Sequence, residues 1–151
     1  MDYTVLFLCT GNYYRSRFAE IYFNTLAPGY GLEACAVSRG IAIELGAGNV
    51  GPISPFTVTG LQERHIAVDS RIRYPRQVQD SDFMNARLVI AMDEREHRPM
   101  MRQRFPGWTD LIQYWQVADI ADLDPRIAVP ALDADVHALL DRLKKGKITD
   151  Y

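Results

Sequence analysis

The residues best suited to chemistry lie near the amino end of the chain, where five residues separate Cys9 from Arg15. They directly follow the apolar run from Thr4 to Leu8, which predicts a buried strand. A helix N terminus and a nearby guanidinium both stabilise a thiolate, and the thiolate is the nucleophilic form of cysteine. This strand-to-helix junction therefore indicates nucleophilic chemistry on an anion.

The residues between Cys9 and Arg15 are those of a tight curl. Gly11 and Asn12 both tolerate left-handed backbone angles, which we expect in such a curl. The resulting cup of N–H groups binds a tetrahedral oxyanion such as phosphate or sulfate, and Arg15 adds a planar pair of donors. The predicted phosphate-binding residues are Thr10, Gly11, Asn12, Tyr13, Tyr14, Arg15 and Ser16. The competing interpretation is that Cys9 only ends a buried strand, where free cysteines are common.

Strand-like and helix-like segments alternate along the rest of the chain. The predicted strands are residues 4–8, 33–37, 87–92 and 111–115, and the predicted helices are 15–26, 54–63, 79–85, 93–104 and 129–145. This alternation predicts an α/β fold, a four-stranded parallel sheet with helices on both faces, in one domain spanning residues 1–151. The cup then lies beyond the carboxyl ends of the strands, where such sheets place their sites.

Composition and charge exclude several classes of function. The net charge of −2 argues against nucleic acid as a partner, and no apolar stretch is long enough for a membrane span. The arginines at 64–76 and 95–104 are interpreted as solvated surfaces, with attraction of anionic substrates as the alternative. Cys9 and Cys35 are too few for a disulfide scaffold, which favours the cytoplasm. The three histidines show no metal-ligand spacing, so no metal or cofactor is expected.

The segment from Cys9 to Ser16 resembles the loop of the low-molecular-weight protein tyrosine phosphatases, which has the form C-x5-R-[ST] after the first strand. Three looser similarities follow in the family's order: Ser38-Arg39-Gly40, residues 74–78 and residues 89–93. The resemblance implies a three-layer phosphatase fold. It also implies a phosphomonoester hydrolase, most often specific for phosphotyrosine, that acts on a phosphorylated protein or a small phosphoester.

The resemblance further implies a role for each residue of the loop. Cys9 attacks phosphorus to form a cysteinyl phosphate, and Arg15 stabilises the charge on the phosphoryl oxygens. Ser16 hydrogen-bonds the sulfur, Asn12 braces the loop, and Ser38 braces Asn12.

The family's general acid is an aspartate in a late loop, usually followed by proline. Only Asp124 is followed by proline here, but residues 115–119 and the distance to the last helix match the family better for Asp119. Asp119 is therefore the predicted acid and Asp124 the alternative, with Asp124-Pro125 predicted to begin a turn.

Two departures from the family pattern keep other functions open. Tyr14 replaces a second loop cysteine, and Ile120-Ala121-Asp122 replaces tyrosines that follow the acid, so Tyr13 and Tyr14 are candidates for the aromatic walls. One alternative is arsenate reductase on the same fold. The other is a catalytically weak module that binds phosphate or regulates a partner.

Overall fold

Strands and helices alternate along residues 3–148, the part of the chain that the computed structural model describes. The strands are β1 (Tyr3–Cys9), β2 (Ala34–Gly40), β3 (Leu88–Ala91) and β4 (Gln113–Tyr114). The helices are α1 (Arg15–Leu26), α2 (Pro55–Gln62), α3 (Asp80–Asn85), α4 (Glu94–Arg104) and α5 (Pro125–Lys144). Residues 1, 2 and 149–151 of the predicted domain lie outside the described range.

The strands form a parallel sheet in the order β2-β1-β3-β4. Side chains of the central strand β1 alternate between its two faces. Val5 and Phe7 pack with the buried residues of α1 and α5, whereas Leu6 and Leu8 pack with Phe83 of α3 and residues of α4. The predicted α/β class, with helices on both faces of a parallel sheet, is confirmed.

The last helix and the second strand both differ in extent from the prediction. Helix α5 begins at Pro125, four residues earlier than predicted, because the Asp124 carboxylate accepts a hydrogen bond from the Arg126 N–H at 2.8 Å and caps the helix. The prediction that Asp124-Pro125 begins a turn is therefore wrong. Strand β2 continues through Ser38 to Gly40, three residues beyond its predicted end, because these residues pair with β1 as far as Cys9.

Candidate active site

The predicted cup, residues 9–16, lies between the end of β1 and the start of α1. Asn12 adopts the left-handed conformation with φ of 53°. Gly11 does not, so that part of the prediction is wrong; among the described residues the left-handed glycines are Gly31, Gly51 and Gly146. One asparagine is enough to turn the chain here.

The carboxyl end of β2 supports the cup from behind. A Cβ atom on Gly40 would lie 2.8 Å from the Thr10 carbonyl oxygen and 3.2 Å from the Asn12 nitrogen, so only glycine allows this approach. The N–H groups of Ile41 and Ala42 donate to the carbonyls of Cys9 and Thr10 at 2.9 and 3.0 Å. The backbone of the sheet edge thus fixes the first half of the cup.

The Asn12 side chain uses every hydrogen-bonding position that it has. Its oxygen accepts from Arg73 Nη1 at 2.9 Å and from the Arg76 N–H at 3.1 Å. Its nitrogen donates to Ser16 Oγ and to Ser38 Oγ, both at 2.9 Å. This network offsets the cost of the left-handed backbone and contains the bracing contact expected from Ser38.

The same network orients a proton toward the cysteine. Ser16 Oγ lies 2.9 Å from Cys9 Sγ, and because it already accepts a hydrogen bond from Asn12, its own proton is available to the sulfur. The first turn of α1 carries no acidic residue that would repel an anion. Ser16 therefore offers a hydrogen bond to the Cys9 sulfur, and no acidic side chain of this turn opposes an anion bound in the cup.

Two arginines hold the cup from outside, although the sequence analysis gave neither of them a role in the site. Arg73, predicted to be solvated, instead bonds Asn12 and donates to the Ser38 carbonyl at 2.9 Å, which corrects that interpretation. The buried Arg17 donates to the carbonyls of Asn12, Pro52 and Arg73 at 3.3, 2.9 and 2.8 Å. Burial lowers the pKa of Arg17 to about 10, so the side chain keeps its charge at neutral pH.

The guanidinium of Arg15 is almost fully buried, and one of its edges is engaged. Nη1 and Nη2 each donate to a different oxygen of Glu96 at 3.0 Å, and Nη1 also donates to the Val117 carbonyl at 2.9 Å. Nε has no hydrogen-bond partner among the described residues. The side edge formed by Nε and Nη2 is therefore left to bind an oxyanion through two parallel N–H groups.

Glu96 is a site residue that sequence reasoning missed. Its carboxylate accepts a hydrogen bond from the Thr10 hydroxyl and lies 3.2 Å from His97 Nε2. His97 Nδ1 accepts from the Asp93 N–H at 3.0 Å, which leaves the proton of a neutral ring on Nε2. A usable signal was available: α4 begins at the carboxyl end of β3, the same sheet edge as the cup.

The ionisation of Glu96 follows from these contacts. Burial acts to raise its pKa, but hydrogen bonds from His97 and Arg15 and the Arg15 charge outweigh burial and hold the pKa well below its ordinary value of 4.5. Because the folded pKa is depressed, the stability that this carboxylate contributes is present above pH 4.5 and is lost as the pH falls toward the depressed value. At neutral pH Glu96 is an anion that fixes Arg15.

Replacing Glu96 by glutamine tests this role. Glutamine keeps the shape but presents an amide nitrogen to one Arg15 donor, so we expect inorganic phosphate to bind about tenfold more weakly. Competitive inhibition by phosphate or vanadate at pH 7 measures the effect. Glu94→Gln is the matched control, since Glu94 pairs with Arg98 on the same helix. Equal inhibition constants for the Glu96 variant and the wild type would contradict the role.

The structure brings one of the two candidate acids to the cup. Asp119 Oδ2 lies 3.8 Å from Arg15 Nη2, and Asp119 lines the same 380 Å³ cavity as Cys9. Asp124 caps α5, pairs with Arg126 at 2.9 Å and lines a separate 860 Å³ groove between α2 and α5. Of the two candidate acids, Asp119 is therefore the one that lines the same cavity as Cys9.

Tyr13 and Tyr14, the candidates for the aromatic walls, both line the cavity. The Tyr13 hydroxyl donates to the Val50 carbonyl at 2.6 Å, and the Tyr14 ring packs edge-on against Phe56 at 6.3 Å. The Tyr14 hydroxyl is buried without a hydrogen-bond partner among the described residues, and burial raises its pKa to about 12. The walls above the cup are therefore aromatic, and the Tyr14 hydroxyl stays protonated at neutral pH.

Residues 3–148 contain no cluster of histidine, cysteine, aspartate or glutamate that could hold a metal ion. Within the same range, no helix combines the length and the apolar character that crossing a membrane requires.

Comparison with known proteins identifies the family to which this chain belongs. Residues 4–127 match the family model of the low molecular weight phosphotyrosine protein phosphatases. The chain belongs to this family. The match spans both the cup of the phosphatase and Asp119, so the thiol, the guanidinium and the carboxylate described above all fall within the matched residues.

Individual relatives agree with the family match. The phosphatase is 31% identical over 108 residues to the protein-arginine-phosphatase of Bacillus subtilis. The aligned residues make up 72% of this chain and 67% of that protein. It superimposes on the crystal structure of YfkJ from Bacillus subtilis with a TM-score of 0.80 and 28% identity, over 97% of this chain and 98% of that one. The structure of the low molecular weight protein tyrosine phosphatase from T. tengcongensis superimposes with a TM-score of 0.73 and 27% identity. This superposition covers 96% of this chain and 99% of that one.

Proposed function

We propose that this phosphatase hydrolyses phosphotyrosine in proteins, with Cys9 as nucleophile, Arg15 as phosphate ligand and Asp119 as general acid. The observation that carries the proposal is that the Arg15 guanidinium, whose Nε has no hydrogen-bond partner among the described residues, lines the same cavity as Cys9. Two parallel N–H groups beside a nucleophile match the geometry of a phosphoryl dianion.

In the first step the Cys9 thiolate attacks phosphorus, and the bond between phosphorus and the leaving oxygen breaks. Protonated Asp119 donates its proton to that oxygen, so the product is a neutral phenol and a cysteinyl phosphate remains. Arg15 and the N–H groups of the cup stabilise the charge on the other three phosphoryl oxygens. Glu96 acts through Arg15 by keeping the unpaired edge in place.

In the second step a water molecule attacks the cysteinyl phosphate. Asp119, now ionised, accepts a proton from this water, and inorganic phosphate is released as the sulfur leaves. Ser16 donates its hydrogen bond to the departing thiolate and thereby stabilises it. The free enzyme is restored with Asp119 protonated.

The lining of the cavity favours a phenyl ring over a guanidinium as the leaving group. Asp119 is the one carboxylate among the described residues that line the cavity, and it already lies beside Arg15. A phosphoarginine side chain, the substrate named for the Bacillus subtilis relative, would add a second guanidinium to the same carboxylate. Tyr13, Tyr14 and Phe56 instead offer aromatic surface to a ring.

The cysteines support a reduced cytoplasmic location and oppose arsenate reduction. Both are free thiols, and Cys9 must stay reduced to act as a nucleophile. Cys35 pairs with Thr4 at the opposite end of β1, which places it about 16 Å along the strand from Cys9. Cys35 therefore cannot relay a disulfide with Cys9, as an internal redox relay would require.

Turnover of matched phosphopeptides tests the specificity. We expect kcat/KM for a phosphotyrosine peptide to exceed that for phosphoserine and phosphoarginine peptides of the same sequence by about 100-fold, because only the phenol fills the aromatic walls. Release of inorganic phosphate is the readout. A preference for the phosphoarginine peptide would contradict tyrosine specificity and would indicate an arginine phosphatase, like the Bacillus subtilis relative. No turnover by reduced enzyme would favour the phosphate-binding module.

A further inference from the structure

Exposed apolar side chains gather at the opening of the catalytic cavity. Among residues 3–148, eight large hydrophobic side chains are exposed; three of them line the cavity, and a fourth, Val50, belongs to the neighbouring segment, whose backbone accepts the Tyr13 hydrogen bond. These four, named the apolar rim, are Leu45 (64% exposed), Val50 (84%), Phe56 (43%) and Ile120 (45%). Leu45, Phe56 and Ile120 line the same cavity as Cys9, and Val50 is joined to the cavity wall by the Tyr13 hydroxyl.

The charge distribution at the opening matches this apolar character. Of the described residues that line the cavity, only Arg15 and Asp119 have charged side chains besides the Cys9 thiolate, and both belong to the chemistry. The neighbouring groove between α2 and α5 shares Phe56 with the cavity but carries more charged side chains: Glu63, Arg64, Asp124, Arg126 and Asp133. The cavity opening therefore has few charged groups that would repel an apolar side chain.

The rim is held in place before any substrate arrives. Arg17 joins the cup to the segment that carries Val50 by donating to the carbonyls of Asn12 and Pro52. The turn Ile43–Gly46, which carries Leu45, is fastened to α4 by an ion pair between Glu44 and Arg104. These contacts tie the segments that carry Val50 and Leu45 to the cup and to α4.

The position of the rim identifies its occupant. The phosphorylated residue enters through this opening, so the residues next to it in the substrate chain must lie against the rim. Exposed apolar surface of this kind is stabilised when it is covered by apolar groups. A small phosphoester would leave the rim uncovered, and an acidic peptide would meet no cation outside the cup among the described residues that line the cavity.

We propose that the apolar rim binds apolar side chains that flank the phosphorylated residue of a protein substrate. The phosphatase then selects phosphosites bracketed by residues such as leucine and valine over sites with acidic or small polar neighbours. This inference rests on the proposed function and adds a sequence preference to it.

Peptides that differ only at the flanking positions test the proposal. Each peptide carries the phosphoresidue that the phosphatase hydrolyses best, with leucine, serine or glutamate at the positions one and two residues on either side. We expect kcat/KM for the leucine peptide to exceed that for the serine peptide by about tenfold, and the glutamate peptide to be the poorest. Equal values for the three peptides would overturn the proposal.

Variants locate the preference on the surface. Val50→Ser and Leu45→Ser should each lower the ratio of leucine-peptide to serine-peptide kcat/KM by about threefold, because each removes apolar contact area. Leu111→Ser and Met84→Ser are matched controls, since these side chains are 73% and 74% exposed and lie outside the cavity lining. A ratio that falls equally in the controls, or is unchanged in the rim variants, would assign the preference to another surface.

Para-nitrophenyl phosphate separates this inference from the proposed function. It has no flanking residues, so its hydrolysis depends on the cup and the acid. Hydrolysis of this ester without any flank preference would overturn the rim proposal alone. Failure to hydrolyse both the ester and every peptide would overturn the proposed function and the rim proposal with it.

Discussion

The Cys9→Ser variant is expected to lose more than about 10⁴-fold in turnover of para-nitrophenyl phosphate. A serine hydroxyl at this position is a far weaker nucleophile than a thiolate, and the hydrogen bond from Ser16 stabilises the thiolate and cannot activate a neutral alcohol. The rest of the cup is unaffected, because Arg15 is held by Glu96 and Val117, and Asn12 by Arg73 and Arg76.

Two measurements establish that only the nucleophile has been removed. Titration with inorganic phosphate, followed by ³¹P NMR or calorimetry, should give a dissociation constant within about threefold of the wild-type value, since Arg15 is the main ligand. Cys35→Ser is the matched control, because Cys35 is exposed and lies at the far end of the strand pair. It should retain wild-type turnover. Retained turnover in Cys9→Ser would remove Cys9 from the mechanism.

The second large effect is expected at Asp119. The Asp119→Asn substitution would keep the shape of the side chain and the hydrogen bond from the Ile120 N–H, but an amide could not give a proton to the leaving oxygen. We expect this variant to lower kcat by about 10²–10³-fold. The loss should be greater for phenyl phosphate than for para-nitrophenyl phosphate, because phenolate is the poorer leaving group.

Asp124→Asn is a sharp control for this experiment. Asparagine caps a helix as well as aspartate does, so α5 should keep its stability, and thermal unfolding should show little change. Because Asp124 lies in the groove between α2 and α5, kcat should also remain at the wild-type value. A loss of kcat at Asp124 and not at Asp119 would move the acid to the residue that proline follows.

Most of the cup was predictable because its parts are neighbours in sequence. The turn at Asn12, the thiol at Cys9 and the helix start at Arg15 follow from residue types and local backbone preferences within one short segment. The βα alternation was predictable for a similar reason, since apolar runs of strand length and amphipathic helical spacing are local patterns. The error at Gly11 was small, because the cup needed only one left-handed residue.

The partners of these residues could not be predicted because they come from distant parts of the chain. Glu96 and His97 belong to a helix whose charges resemble any solvated surface, and Arg73 lies in a loop without a motif. Each becomes a site residue only when the parallel strands bring the ends of β1, β2 and β3 to one edge of the sheet.

The sequence by itself determined the fold class, and it predicted the nucleophile and the phosphate-binding cup, because all three depend on local residue patterns. The sequence favoured Asp119 over Asp124 by resemblance alone; the tertiary structure adds the physical reason, because Asp124 caps α5 whereas Asp119 lies beside Arg15. The structure likewise decided which edge of Arg15 stays unpaired and which apolar side chains surround the opening, since both depend on contacts between residues far apart in the chain.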